Sequence, residues 1–201
     1  TLLSNDDLMW ETTNSINVGI DYGMFKNKLT GSLNYFQKNT SDMLIPRVPA
    51  PSSGYDSQTM NVGEIENSGI EFEINYNGQS GKLNYNVGFN ISYLKNEVVK
   101  LSDKDQVIFG EGLKYGTEHF PTQTRVGKPI ASYYLYKTDG IFQSLAEVNS
   151  YVNKNGEKLQ PTAQPGDIRF KDVNGDGAIT EADKDFCGSG MPKVEANINF
   201  S

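Results

Sequence analysis

Residues 83–93 read Leu-Asn-Tyr-Asn-Val-Gly-Phe-Asn-Ile-Ser-Tyr. Leu83, Tyr85, Val87, Phe89, Ile91 and Tyr93 alternate with Asn84, Asn86, Gly88, Asn90 and Ser92. A period of two places the two sets on opposite faces of a β-strand. Four more segments repeat the pattern. Ile16, Val18, Ile20, Tyr22 and Met24 alternate with Asn17, Gly19, Asp21 and Gly23. Leu29, Gly31, Leu33 and Tyr35 alternate with Thr30, Ser32, Asn34 and Phe36. Ile70, Phe72, Ile74 and Tyr76 alternate with Glu71, Glu73 and Asn75. Val194, Ala196, Ile198 and Phe200 alternate with Glu195, Asn197 and Asn199. A sixth strand is expected within residues 130–142, where Tyr133, Tyr134 and Tyr136 cluster. The fold class is therefore all-β, an antiparallel meander of long hairpins.

The connections differ in length. Residues 26–28 and 77–82 are short hairpin turns. Residues 41–64, with Pro46, Pro49, Pro51 and Gly54, and residues 96–128, around Gly110, Gly112 and Gly116, read as long loops. Short turns at one end and long loops at the other is the arrangement of an outer-membrane barrel. Tyr85 and Tyr93 bracket the apolar face as an aromatic girdle would. Eleven residues also match the roughly 9–11 that a tilted strand needs to cross a bilayer. The other face is Asn, Gly, Ser and Glu with hardly a Lys or Arg, a set that a barrel interior tolerates. A soluble β-sandwich alternates as well, with one face buried in protein. The pattern alone leaves both architectures open. One short helix is expected after Ser144, because Ser144 and Glu147 have capping-box spacing and Leu145, Val148 and Val152 share a face.

Composition narrows the function. The chain has 201 residues, of which 36% are apolar, and it is rich in Gly, Asn, Tyr and Phe, which suit strands and turns. A net charge of −7 argues against nucleic acid, which needs a basic face. Cys187 is the one cysteine and His119 the one histidine, which excludes an intrachain disulfide, a Cys-clustered zinc site and a multi-His metal site. Cys187 is expected to be a small packing residue, and His119 a loop residue. No apolar run reaches the length of a transmembrane helix. The chain opens at Thr1 with no signal-peptide pattern, so it is expected to be a piece that begins after any such peptide. No G-x-S-x-G, P-loop or G-x-G-x-x-G occurs. Glu64, Glu66, Glu71 and Glu73 offer carboxylates, but Glu71 and Glu73 would share the wall of any polar strand face. No catalytic residue is assigned, and the chain is not expected to be an enzyme.

Residues 172–183, Asp-Val-Asn-Gly-Asp-Gly-Ala-Ile-Thr-Glu-Ala-Asp, fit a calcium loop. Asp172, Asn174 and Asp176 take positions one, three and five. Gly177 takes the sharp turn at six, Ala178 offers a carbonyl at seven, and Asp183 stands at twelve. Asp at twelve reaches less far than the usual Glu. The preceding residues 167–170 read as strand, so this is an isolated loop and not a helix–loop–helix sensor. A structural Ca²⁺ held by Asp172, Asn174, Asp176, Ala178 and Asp183 is the expectation; an Asx- and Gly-rich turn without metal is the alternative.

Several phrases then stand in order. They are Trp10-Glu11-Thr12-Thr13 leading into Asn17-Val18-Gly19-Ile20-Asp21; Asp42-Met43-Leu44; Asn61-Val62-Gly63; and Asn67-Ser68-Gly69-Ile70-Glu71-Phe72. Val126-Gly127-Lys128-Pro129-Ile130, Tyr133-Tyr134 and Asp139-Gly140-Ile141-Phe142 follow, and the stretch from Pro165 to Gly177 completes the series. Together, over nearly the whole chain, they resemble the C-terminal part of SusC/RagA-type TonB-dependent outer-membrane transporters of Bacteroidetes. The resemblance implies a large transmembrane β-barrel closed elsewhere by an N-terminal plug. It implies import of oligosaccharides or peptides across the outer membrane, with a SusD-like surface lipoprotein as partner. The energy would come from the TonB complex through an N-terminal part missing here. On this reading residues 1–201 are the C-terminal portion of the barrel, without plug or early strands. Outer-membrane lipid meets the apolar face, and residues 143–192, with helix and calcium loop, form an extracellular excursion. Tyr55, Phe109, Tyr115 and Phe120 would be the loop aromatics that stack on substrate. The alternative is a soluble secreted calcium-stabilised β-sandwich that binds carbohydrate.

Overall fold

The structure is a computed structural model that describes residues 2–3, 5, 7–47, 52, 54, 57–110, 112–115 and 117–201. In chain order the strands are β1 (Leu2–Leu3), β2 (Thr12–Met24), β3 (Leu29–Arg47), β4 (Ser57–Ser80), β5 (Leu83–Lys100), β6 (Ile108–Phe109) and β7 (Leu113–Tyr115). They continue with β8 (Thr117–His119), β9 (Thr122–Thr124), β10 (Ser132–Tyr136), β11 (Thr138–Ile141), β12 (Ile168–Phe170), β13 (Lys184–Ser189) and β14 (Val194–Phe200). One helix, α1 (Leu145–Ser150), lies between β11 and β12. The chain divides into two compact units: Thr1–Ile108 with Thr124–Ile130 and Met191–Ser201, and Phe109–Gln123 with Ala131–Gly190.

The first unit is an antiparallel sheet in the order β14-β5-β4-β3-β2, with β1 pairing in parallel with β4. All five alternating segments lie in it, and their registers match. Val18, Tyr35, Ile70, Tyr93 and Val194 form one rung across the sheet. Ile20, Leu33, Phe72, Ile91 and Ala196 form the next, followed by Tyr22, Gly31, Ile74, Phe89 and Ile198. Met24, Leu29, Tyr76, Val87 and Phe200 form the fourth. Because side chains alternate, a one-residue slip of any strand would break every rung at once. This apolar face is exposed: Val18, Ile20, Val194 and Ile198 each keep more than half their surface open. The packed inner face that a β-sandwich needs is therefore missing among the described residues. The span from Tyr85 to Tyr93 is about 26 Å along the strand, or about 20 Å of height at a barrel's usual tilt.

The band ends abruptly. One rung beyond Tyr93 the same face carries Gln37, Ser68 and Lys95. The Gln37 amide donates to Glu66 Oε2 at 2.8 Å, the Asn39 amide donates to Glu64 Oε1 at 2.7 Å, and Lys95 pairs with Glu97. Aromatic rings fill the space over glycines directly opposite in register: Tyr22 over Gly31, Phe36 over Gly69 and Tyr85 over Gly78.

Strands β3 and β4 run further than the sequence suggests. Residues 41–64 were expected to be loop, yet β3 continues to Arg47 and β4 begins at Ser57; residues 48–51, 53, 55 and 56 lie outside the described residues. The pairing is irregular there. Asp42 adopts φ +57°; the register steps from Thr40 opposite Ile65 to Met43 opposite Gly63 and steps back at Leu44 opposite Asn61, so one extra residue on β3 is offset by one on β4. Met43 and Ile45 join Val62 and Ile65 around buried Val98 and Leu101, with Ile108, Val126 and Ile130 completing the cluster. The strand expected in residues 130–142 is two short strands, β10 and β11, both in the second unit and in different sheets.

Replacing Gly69 with Val should destabilise this sheet by about 1–3 kcal/mol, because a Cβ there would meet the Phe36 ring at 2.7 Å as well as the Tyr93 carbonyl. Chemical unfolding in detergent micelles measures it, and an unchanged midpoint would count against the packing described.

Candidate functional site

The second unit holds the calcium-type loop. β10 pairs with β9 and β13, and β11 pairs with β12. The Ser144 hydroxyl caps α1 by accepting from the Glu147 N–H, while the Glu147 carboxylate accepts from the Gln143 N–H. Arg169 on β12 lies 5.9 Å from the Phe142 ring centre and 5.8 Å from that of Tyr151, and it pairs with Asp139 at 3.3 Å. The Tyr151 hydroxyl donates to the Phe170 carbonyl at 2.5 Å. These contacts fix the chain two residues before the loop begins.

Within residues 172–183 the aspartates organise the backbone. Asp172 accepts from the N–H groups of Gly175 (2.7 Å) and Gly177 (2.9 Å). Those two glycines take φ of +74° and +88°, a region other residues rarely enter. Asn174 accepts from the Asp176 N–H and donates its amide to the Asp176 carboxylate, both at 2.9 Å. Asp176 accepts from the Ala178 N–H at 2.9 Å. Asp183 accepts from the N–H groups of Val173 (2.9 Å) and Thr180 (2.7 Å), and Thr180 caps the short 3-10 turn Glu181–Asp183. The Asn153 amide donates to the Gly177 carbonyl at 3.1 Å and ties the loop to the segment after α1.

Asp183 is fully buried. Burial alone would push its carboxyl up, but the N–H groups of Thr180, Val173 and Asn174 outweigh it and hold the carboxyl below its ordinary value. Carboxylate oxygens of Asp172, Asp176 and Asp183 lie within 4.8 Å of one another. Among the described residues no Lys or Arg forms an ion pair with them. Hard oxygen donors with concentrated negative charge are the chemistry that suits a hard divalent cation. The structure thus brings together three of the five residues singled out in the sequence, with Asn174 and Ala178 at the third and seventh loop positions. Asn153 and Arg169 were not singled out; the turn-forming run Asn153 to Gly156 was the one signal for the first.

Phe109 and Phe120 also come together, with ring centres 5.3 Å apart and both rings exposed. The Gly110 N–H donates to the Thr122 carbonyl at 3.0 Å and holds the two segments side by side. Tyr55 and the side chains of Tyr115 and His119 lie outside the described residues. Cys187, expected to be packed, is exposed on β13; the pleat turns it away from its neighbour Phe186, whose ring lies tilted against that of Tyr134 with centres 5.2 Å apart.

Removing the guanidinium by Arg169→Ala should loosen the approach to the loop. Limited proteolysis should then cut within residues 153–183 several-fold faster while β2–β5 stay protected; equal cutting rates would contradict the anchoring role.

A model of the TonB dependent receptor-like β-barrel family matches residues 1–177. TonB-dependent receptor P3 of Formosa agariphila is 32% identical over 200 residues, covering 99% of this chain and 20% of that protein. TonB-dependent receptor SusC of Bacteroides thetaiotaomicron is 28% identical, covering 90% of this chain and 17% of that protein. Among solved structures, the RagAB peptide importer in its "open-open" state superposes with a TM-score of 0.69 at 21% identity, covering 98% of this chain and 20% of that one. The chain thus spans about a fifth of the length of these relatives. An exposed apolar band on one face, a polar opposite face and the family match over most of the length agree, and this chain belongs to the TonB-dependent receptor β-barrel family.

Proposed function

We propose that this chain forms part of the wall of an outer-membrane importer that takes up glycans or peptides together with a SusD-like lipoprotein, energised by TonB. The observation that carries the reading is the five-strand apolar band, exposed, bounded by tyrosines and backed by a polar face. Lipid covers such a band, because every backbone group in the sheet interior is already paired along the ladder. The RagAB peptide importer among its structural relatives supports a peptide cargo; the glycan cargo and the SusD-like partner rest on the SusC/RagA resemblance. TonB would act through other parts of the importer, and the role is transport, not catalysis. The Phe109 and Phe120 pair supplies a stacking surface for cargo.

A lysine at the middle of the band tests the membrane reading. Ile74→Lys should cost about 2–4 kcal/mol of folding into lipid vesicles, whereas Asn90→Lys on the opposite face should cost far less. Equal costs on the two faces would overturn the assignment.

The loop at residues 172–183 serves, in this proposal, as a structural Ca²⁺ site that stiffens the excursion outside the membrane. Asp172, Asp176 and Asp183 would supply carboxylate oxygens, Asn174 its side-chain oxygen and Ala178 its carbonyl. Calcium at about a hundred times its dissociation constant should add about 2.7 kcal/mol, raising the melting temperature by about 5 °C or more. Chelation should reverse the shift, and Asp172→Asn with Asp176→Asn should abolish it. A melting curve indifferent to calcium in the parent protein would leave the loop as a hydrogen-bonded turn without metal.

A further inference from the structure

The polar face of β2–β5 has one irregularity. Across its five rungs from Ser15 to Gly23 every residue on it is polar or glycine, except Phe36 and Leu94. The register places these two on the same rung, in the order Asn17, Phe36, Gly69, Leu94. Phe36 leans over Gly69, where a side chain would meet its ring at 2.7 Å, so the glycine clears space for the aromatic. The rung above carries Ser15, Lys38 and Asn67, and the rung below carries Asn34 and Glu71. All of these but Gly69 line one open hollow of about 650 Å³. An apolar floor is thus bordered above and below by amides and one charge of each sign.

We propose that this hollow is a binding subsite for a neutral pyranose unit on the inner wall of the barrel, an assignment that rests on the importer reading and names its cargo there. A pyranose offers a face of C–H groups and a rim of hydroxyls. The Phe36 ring and Leu94 meet the C–H face by apolar contact. The rim needs partners that both donate and accept, which amides do, while a carboxylate accepts strongly. Among the described residues nothing bonds the Asn17 amide or the Glu71 carboxylate, so both are available to a ligand. Lys38 balances Glu71, which leaves no bias toward an anionic sugar. One common way an extended peptide docks is by adding to a free strand edge. This hollow lies on the sheet face, where backbone groups are already committed to the ladder.

The test uses maltohexaose and xylohexaose as neutral probes and hexaalanine as the peptide probe, titrated into the protein folded in detergent micelles and followed by saturation-transfer NMR and calorimetry. The parent protein should bind at least one hexasaccharide. Phe36→Leu should weaken it about tenfold, Phe36→Tyr should retain it, and Glu71→Ala and Asn17→Ala should each weaken it about fivefold. Should Phe36→Leu fail to fold, the Glu71 and Asn17 variants decide alone, since removing those side chains breaks no bond within the described residues. Binding of neither sugar, binding of hexaalanine in their place, or sugar binding unchanged in the Glu71 and Asn17 variants overturns the subsite. Each of those outcomes with the band lysine Ile74→Lys still impairing membrane insertion counts against the subsite alone. Loss of the face difference in insertion counts against the importer reading itself.

Discussion

Register is the constraint on which this molecule depends. Each ladder hydrogen bond between neighbouring strands is worth little net in stability, yet together the ladders fix which residues stand opposite one another. A β-strand has a period of two, so that choice has only two outcomes for each strand: the whole apolar set on one face, or on the other. In β2, β3, β4, β5 and β14 the outcome is the same, and four rungs run across the sheet with an apolar or aromatic side chain at every place but Gly31, which the Tyr22 ring covers. The aromatic–glycine pairs reinforce it, because Tyr22, Phe36 and Tyr85 find space only over the glycines that this register supplies.

Much of this was legible in the sequence. The five alternating segments, their hairpin turns and the tyrosines bounding the band are local signals, and period-two alternation is the strongest local signal a strand has. The family resemblance rested on the same residues and on the loop phrases between them. The length of β3 and β4 was not legible, because the pairing passes an irregularity at Asp42, in the left-handed region, where two opposite register steps lie between Thr40 and Leu44. By count Met43 and Ile45 keep step with Leu33 and Tyr35, but polar Gln37, Asn39 and Ser41 interrupt the apolar run between them, and Pro46 reads as a breaker, though the strand carries on. The two strands within residues 130–142 were missed as separate elements because clustered tyrosines carry no clear period.

The loop at residues 172–183 was legible as a motif, since spacing of Asp, Asn and Gly is itself the geometry. Its support was not. Arg169 reaches Phe142 and Tyr151 through a fold in which β11 and β12 pair across about thirty residues, and no local pattern announces such a contact. Asn153 reaches Gly177 across a similar separation. The two units thus differ in what organises them. The sheet is fixed by repetition, and the second unit by individual polar and cationic contacts with one use each.

The aromatic rings seated on glycines have a consequence for descent. A ring and the glycine facing it occupy one shared volume, so neither can change freely without its partner. A bulkier residue at Gly69 meets Phe36, and a small residue at Phe36 leaves a void over Gly69. In diverging copies of this barrel the two positions should therefore vary as a couple, although more than thirty residues separate them along the chain. Joint variation at Tyr22 with Gly31, Phe36 with Gly69 and Tyr85 with Gly78 would record strand pairing in the sequences themselves.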